Sequence, residues 1–279
     1  MSKIIMRWFV QVFSRRFAQV RVLIFMALAI VLPARATTFS NASLNGSYSF
    51  LINLWTADVN TNEFAIVGVM TFDGAGQGSA VYTQTAAGGM ITSGNFSMTY
   101  TVNPNGTGKI TCAAGLKDQF AITLNSTAGG VAHGVQLLQT NDNKNEVVSG
   151  SAVLQSLATE TYSLSSLKGN FAFQGNEWTA TGKDAEEGFV GILTFDGKGN
   201  VLGSYTDMYD GGLTSPTLTA GTYTVNPDGF GGMLFLADNI QFSFALNSAS
   251  AAGNAKGLQF VVNNSNGYNI VRSGTGLKQ

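Results

Sequence analysis

The stretch TYTVNPNG occupies residues 99–106, and TYTVNPDG occupies residues 222–229, which lie 123 residues downstream. In both stretches polar threonines alternate with Tyr and Val, the pattern of a strand with one buried face. Proline then stands where a φ of about −65° is favoured, and glycine where φ must be positive. This combination is typical of a type I turn followed by a bulge. Each stretch therefore predicts a strand that leads into a β-hairpin.

The same offset relates other parts of the chain and defines an internal repeat. SLNGSYSF at residues 43–50 corresponds to SLKGNFAF at 166–173, and TFDG at 71–74 recurs at 194–197. The two copies run from 43 to 155 and from 166 to 279, a normal length for a domain. We therefore predict two tandem domains, at residues 37–158 and 159–279.

The first 36 residues have the features of a secretory signal peptide. Basic residues precede an unbroken apolar run from Val22 to Leu32, and Ala34-Arg35-Ala36 follows as a cleavage motif. A retained N-terminal membrane helix is the alternative, but a bilayer span needs about 20 apolar residues. We predict an exported protein, located in the periplasm, on the cell surface or outside the cell, with no stable membrane span in the mature chain.

Removal of residues 1–36 would leave 9 basic and 16 acidic groups, a net charge of about −7. Nucleic-acid binding is disfavoured, because such proteins carry clustered Lys and Arg that displace counterions. The single cysteine, Cys112, excludes an intrachain disulfide, so the fold must depend on its own hydrophobic core.

Period-two alternation predicts eight strands in each copy. In copy one they lie near residues 47–55, 63–72, 77–85, 96–103, 107–113, 118–125, 132–140 and 146–155. Eight antiparallel strands joined by hairpins close most simply into an up-and-down barrel, which removes exposed edges. The tight turns at 73–74 and 103–106 predict a closed end. The longer connections, around 56–62, 86–95 and 141–145, predict an open mouth at the other end.

Each copy begins with glycine, any residue and an aromatic residue, at Gly46-x-Tyr48 and Gly169-x-Phe171. This opening resembles that of lipocalin-type (calycin) barrels, in which a late arginine stacks on the aromatic ring. Arg272 is the candidate in copy two, whereas copy one has Val148 there. The repeated pattern LxGx[YF]xF…TFDGxG…TYTVNPxG also resembles uncharacterised exported bacterial proteins, a family that implies no known activity. The predicted fold is all-β, with two tandem lipocalin-like barrels after a signal peptide.

Catalytic and cofactor-binding patterns are sparse. His133 is the only histidine, so any Ser-His-Asp or Cys-His arrangement would depend on it, and we interpret it as a solvated turn residue. Cys112 falls on the apolar side of its strand and is interpreted as a core residue. Asp73-Gly-Ala-Gly76 lacks the further ligands of a calcium loop and the Lys-Ser/Thr ending of a phosphate loop. We predict no catalytic residue, no metal site and no cofactor.

Acidic residues cluster in copy two, in loops that a barrel would bring to one rim. They are Asp184, Glu186, Glu187, Asp207 and Asp210. A solvated rim, a cation site and a pair of carboxylates for glycoside hydrolysis are all compatible with this set.

Aromatic residues at matching positions provide the candidate ligand site. Trp55 and Trp178 end the first strand of each copy, and Tyr82 and Tyr205 lie toward the same end of the third strand. Large rings with polar atoms suit a ligand mouth, although they suit a plugged barrel end equally well.

These patterns favour a non-enzymatic exported protein that binds a small apolar ligand or a cell-surface component at its open barrel ends. The alternatives are a structural or adhesive module with filled barrels and no ligand, and a single 16-stranded outer-membrane barrel.

Overall fold

The computed structural model describes residues 38–56, 63–113, 118–141, 146–156, 161–179, 187–209, 211–248, 253–263 and 270–279. It is all-β, and each sequence copy forms its own closed, antiparallel barrel. The predicted all-β fold with two tandem antiparallel barrels is therefore confirmed, whereas the predicted signal peptide lies outside the described residues. Within the described ranges, no helix is long and apolar enough to cross a membrane.

The first barrel contains eight strands in sequence order. They are β1 (Asn45–Thr56), β2 (Phe64–Asp73), β3 (Gln77–Ala86), β4 (Met90–Val102), β5 (Thr107–Cys112), β6 (Gln119–Ala128), β7 (Val131–Gln139) and β8 (Glu146–Ser156). Each strand pairs with the next, and β8 returns to pair with β1, so that Leu51 lies opposite Ser151.

The second barrel repeats this order with one interruption. Its strands are β9 (Lys168–Thr179), β10 (Glu187–Asp196), β11 (Asn200–Tyr209), β12 (Gly212–Thr214), β13 (Thr217–Val225), β14 (Phe230–Phe235), β15 (Ile240–Asn247), β16 (Gly257–Asn263) and β17 (Ile270–Lys278). β12 and β13 together correspond to β4 and are separated at Ser215 and Pro216. Proline has no N–H to donate to the strand ladder, which accounts for the break.

Two predictions need correction. The alternative of one 16-stranded barrel is wrong, because β8 returns to β1 and β17 returns to β9. The long connection predicted at residues 86–95 is also wrong, because β4 already begins at Met90. Gly88 and Gly89 have φ values of +83° and +75°, which allow a tight turn there. Residues 90–95 lie largely in solvent and lack an apolar alternation, so the periodicity gave no strand signal.

In both barrels, alternate residues along the strands point into the interior, as the alternation predicted; the short strand β12 is exposed throughout. Tyr48 and Phe50 are fully buried in the first barrel, and Phe171 and Phe260 are fully buried in the second. Cys112 is buried in the first core, as predicted. Aromatic rings in edge-to-face contact fill much of both interiors, for example Phe72 against Tyr100 at a centroid distance of 5.1 Å.

Both barrels are closed at the predicted end by the same device. A short 3₁₀ turn precedes the first strand of each barrel, at Asn41–Ser43 and at Leu164–Ser166. The Tyr100 hydroxyl donates to the Leu44 carbonyl at 2.8 Å, and the equivalent Tyr223 hydroxyl donates to the Leu167 carbonyl at 2.9 Å. These bonds tie the turn to the opposite wall of its barrel.

The barrels pack wall to wall. Outward residues of β1 and β2, including Leu51, Val67 and Val69, form one buried apolar cluster with Val261 and Val271 of the second barrel. Strand alternation places these side chains on the outer faces, and burial there removes them from water.

Candidate functional site

Trp55 and Trp178 contact each other between the two barrels. Their ring centroids are 5.8 Å apart and the rings are tilted by 39°. The preceding residues, Leu54 and Glu177, are buried, whereas Trp55 belongs to the outer wall with 40% of its surface exposed. The two tryptophans therefore lie on outer faces and form one shared pair, instead of the two separate mouths that the sequence suggested.

The second ring of this pair has an unusual environment. Trp178 is only 8% exposed and belongs to the apolar cluster between the barrels. Its indole nitrogen Nε1 is buried and has no hydrogen-bond partner among the described residues. Leaving a buried N–H group without an acceptor destabilises a folded protein by about 1–3 kcal/mol. An acceptor that reached this indole N–H would therefore be stabilising.

A groove of about 1170 Å³ runs beside the tryptophan pair. The first barrel contributes Asn53 and Trp55, and the second contributes Gln174, Asn176 and Trp178. Ser273 of β17 also lines the groove, and its hydroxyl group donates a hydrogen bond to Asn53 Oδ1 at 2.9 Å. Indole rings beside side-chain amides give a surface that can both stack on a ligand and hydrogen-bond it.

Tyr82 and Tyr205 lie inside their barrels and not with the tryptophans. Tyr82 packs against the first core, with Phe96 at a centroid distance of 5.8 Å. Tyr205 packs against the second core, and burial raises the pKa of its hydroxyl. The four predicted ligand-binding residues are thus divided between the groove and two interiors, and their role in binding stays a prediction.

The second barrel contains a buried charged row that the first lacks. Glu187 of β10 lies opposite Glu177 of β9, which in turn lies opposite Arg272 of β17. Arg272 Nε pairs with Glu177 Oε2, and Arg272 Nη2 lies 3.4 Å from Glu187 Oε2. Because the three residues occupy neighbouring strands at one level, they form a single network.

Glu187 has a strongly raised pKa within this network. Burial, together with a hydrogen bond to Glu177 and the charge of that carboxylate, raises the pKa of Glu187 to about 8. Arg272 opposes this shift without cancelling it. Glu187 is therefore mainly protonated at neutral pH, and the ion pair of Arg272 with Glu177 completes the network.

The sequence located this network only in part. Glu187 belonged to the predicted acidic rim and Arg272 to the lipocalin resemblance, while Glu177 was overlooked. Comparison of the two copies could have identified all three residues, because the matching positions in the first barrel are Leu54, Phe64 and Val148. Three apolar core positions that all become charged in the second copy indicate a network.

The remaining predictions concern the acidic rim, metal ligands and His133. Asp184, Glu186 and Asp210 lie outside the described residues, and Asp207 accepts a hydrogen bond from Thr214. The described residues include no group of three or more potential metal ligands. His133 is exposed within β7, and not in the turn where the sequence suggested it.

The interior of the second barrel leaves little room beside its charged network. A cavity of about 30 Å³ lies in the second barrel beside Glu187, Tyr205 and Arg272. A volume of this size accommodates about one or two water molecules. Glycines at inward positions accept the neighbouring rings, since a Cβ added at Gly175 would lie 2.3 Å from the Phe189 ring. The interior is thus packed by side chains.

Comparisons with known proteins show only a distant likeness. No protein-family model and no curated protein matches the chain. Among solved structures it is similar to a protein of unknown function from the DUF3598 family of Nostoc punctiforme (12% identity, TM-score 0.27, covering 86% of this chain and 98% of that one). It is also similar to kievitone hydratase from Nectria haematococca (8% identity, TM-score 0.27, 89% and 94%).

A porin-like protein from Bacteroides uniformis gives a further match (10% identity, TM-score 0.22, 84% and 96%). At these TM-scores the similarities carry no activity or ligand over to this chain. The predicted membership of a family of exported bacterial repeat proteins stays a prediction.

Proposed function

We propose that this chain is an exported, non-enzymatic surface module that acts through the outer walls of its two barrels. The observation that carries the proposal is the filling of both interiors by large side chains, among them Tyr48, Phe50, Phe171 and Phe260. A ligand-carrying barrel of eight strands keeps an interior space for its ligand. Of the two non-enzymatic functions that the sequence left open, packed interiors favour the structural or adhesive one.

Export is the second part of the proposal. It is supported by the basic and apolar segments of residues 1–36 and by the Ala34-Arg35-Ala36 motif. The predicted net charge of about −7 in the remaining chain disfavours nucleic acids and anionic membrane surfaces as partners.

The test is native mass spectrometry of the protein purified from the extracytoplasmic fraction of its own host. We expect the mass of residues 37–279, or whole-number multiples of it, with no small-molecule mass added under native conditions. A small molecule that remains bound only under native conditions would contradict the filled-barrel function. An intact N-terminus beginning at Met1 would contradict export.

The groove beside Trp55 and Trp178 favours a second candidate function, the binding of a soluble glycan. The side-chain amides of Asn53 and Asn176 supply the polar groups that sugar hydroxyls require, and Trp55 supplies an exposed ring. Apolar ligands are favoured less, because the groove is lined by these amides as well as by rings.

This candidate is tested by tryptophan fluorescence during titration with short oligosaccharides and, separately, with fatty acids. Asn176→Ala removes a groove amide on the outer wall and should weaken sugar binding while leaving the melting temperature nearly unchanged. Leu236→Ala, an exposed change in the turn after β14, is the matched control. An emission spectrum that no sugar shifts would exclude the glycan function.

A further inference from the structure

The contact between the two barrels joins two different outer faces. We call the outward residues of β1 and β2, together with Ser151 of β8, the acceptor face. The donor face consists of the outward residues of β15 and β16, together with Val271 and Ser273 of β17. The acceptor face contributes Val67 and Val69, and the donor face contributes Val261 and Val271. All four side chains are buried in this contact. Because the chain is a repeat, each barrel carries both faces, and one face of each barrel remains unused.

The unused acceptor face lies on the second barrel. Strand register equates Val67 with Val190 and Val69 with Ile192. Val190 is 57% exposed and Ile192 is 39% exposed, although their counterparts are buried. The apolar character of this face is thus kept where nothing in the described part of the chain covers it.

The unused donor face lies on the first barrel. Strand register equates Val261 with Leu138 and Val271 with Val147. Leu138 is 50% exposed and Val147 is 56% exposed. Large apolar side chains at corresponding positions therefore occur on both unused faces.

The polar contacts of the interface recur as well. Within the chain, Ser273 donates to Asn53 at 2.9 Å, and Gln259 Nε2 donates to Ser151 Oγ at 3.4 Å. The corresponding residues of the unused faces keep the same hydrogen-bonding chemistry and are Ser149 with Asn176 and Gln136 with Thr275. Each of these two pairs combines a hydrogen-bond donor with an acceptor. The two unused faces could therefore dock in the same register as the existing interface.

We propose that the unused donor face of one molecule docks on the unused acceptor face of a second copy of this chain. The partner proposed for the surface module is thus the module itself, so this inference rests on the proposed function. Such a contact joins two different faces, so it continues head to tail and produces strings of barrels instead of a closed dimer. Every barrel in a string would be joined to the next as the two barrels of one chain are joined.

The contact between molecules is weaker than the contact within one chain. Gln174 replaces Leu51 on the unused acceptor face, and Thr123 replaces Ala245 on the unused donor face. The covalent link also gives the two barrels of one chain a high effective concentration, which separate molecules lack. Assembly is therefore expected at the high local concentrations of a crowded surface and not in dilute solution.

Sedimentation velocity of the purified protein over a wide concentration range tests the proposal. The unaltered protein should show concentration-dependent species larger than a dimer. Leu138→Asp places a charge on the unused donor face, and Val190→Asp places one on the unused acceptor face. Each variant alone should therefore remain monomeric. Val147→Asp and Ile192→Asp repeat the two tests at independent positions. Leu236→Asp, on an exposed leucine outside both faces, should assemble like the unaltered protein.

An equimolar mixture of Leu138→Asp and Val190→Asp proteins gives the sharpest result. Each supplies the face that the other lacks, so the mixture should form dimers and nothing larger. A protein that stays monomeric at every soluble concentration would overturn the inference, as would assembly unaffected by either variant. Those results would leave the filled-barrel function intact, whereas a co-purified interior ligand would contradict that function and leave head-to-tail assembly standing.

Discussion

Glu187 and Glu177 face each other across neighbouring strands inside the second barrel, and a hydrogen bond joins their carboxyl groups. Two carboxylates so close cannot both ionise without a cost, so one of them keeps its proton. Arg272 completes the network from the other side of Glu177. The first barrel has only apolar residues at these three positions, which makes the network a difference between two otherwise similar domains.

The protonated Glu187 makes the second barrel sensitive to pH. Its pKa is about 8 in the folded protein and 4.5 in the reference state. The folded state therefore binds more protons than the unfolded state between these values, and its stability falls as the pH rises. The stability that protonated Glu187 contributes is fully present below pH 4.5 and is lost as the pH rises through about 8.

Urea unfolding at several pH values between 4.5 and 9 measures this effect. The free energy of unfolding should fall toward alkaline pH in the unaltered protein. Glu187→Gln keeps the hydrogen bond to Glu177 but cannot ionise, and it should flatten the profile. An equally steep profile in this variant would show that another group is responsible.

Removal of Arg272 should strongly destabilise the second barrel. Glu177 is almost completely buried, and Arg272→Met would leave its carboxylate without a counter-ion. Breaking a buried ion pair in this way costs about 3–5 kcal/mol, and the partial exposure of Arg272 favours the lower end. The measurement is the free energy of unfolding at neutral pH.

A matched replacement of the whole network is the control for this prediction. Changing Glu177 to Leu, Glu187 to Phe and Arg272 to Val installs the apolar set of the first barrel. Replacing a buried charged network by packed apolar residues is often neutral or stabilising. A triple variant as unstable as Arg272→Met would indicate a packing defect instead of an unpaired charge.

Gly229 in the hairpin between β13 and β14 should tolerate no larger residue. Its φ is +81°, and an added Cβ would lie 2.7 Å from Gln155 Nε2 and 2.8 Å from the Tyr162 ring. Gly229→Val should therefore cost more than about 1–3 kcal/mol, the range for backbone strain alone. Gly211→Val is the control, because Gly211 has a φ of +75° but no atom within 4 Å of an added Cβ. Equal losses in the two variants would rule out the steric contribution.

Residues 37–158 and 159–279, produced separately, should each fold into a barrel. Each encloses its own core, so cooperative unfolding and a β-type circular dichroism spectrum are expected. Each should also be less stable than in the whole chain, because separation exposes Val67 and Val69 in one and Val261 and Val271 in the other. Segments that fold only when both are present would refute independent folding.

The amino-acid sequence by itself determined the repeat, the strands and the closed ends. Tyr100 and Tyr223 stand 123 residues apart in strands that lead into Asn-Pro-x-Gly turns, and both turns adopt the expected geometry with positive φ at Gly106 and Gly229. These features depend on neighbouring residues, since side-chain alternation and turn chemistry act over a few positions. Such local preferences can be read from one chain.

Only the tertiary structure decided which residues meet. The pairing of Trp55 with Trp178 depends on how two barrel walls pack, and the wall contact joins residues more than 100 positions apart. The network of Glu187, Glu177 and Arg272 likewise depends on the register of three strands, in which a shift of one residue would turn each side chain to the other face. Packing and register arise from the whole fold, and for that reason the sequence named most of these residues without bringing them together.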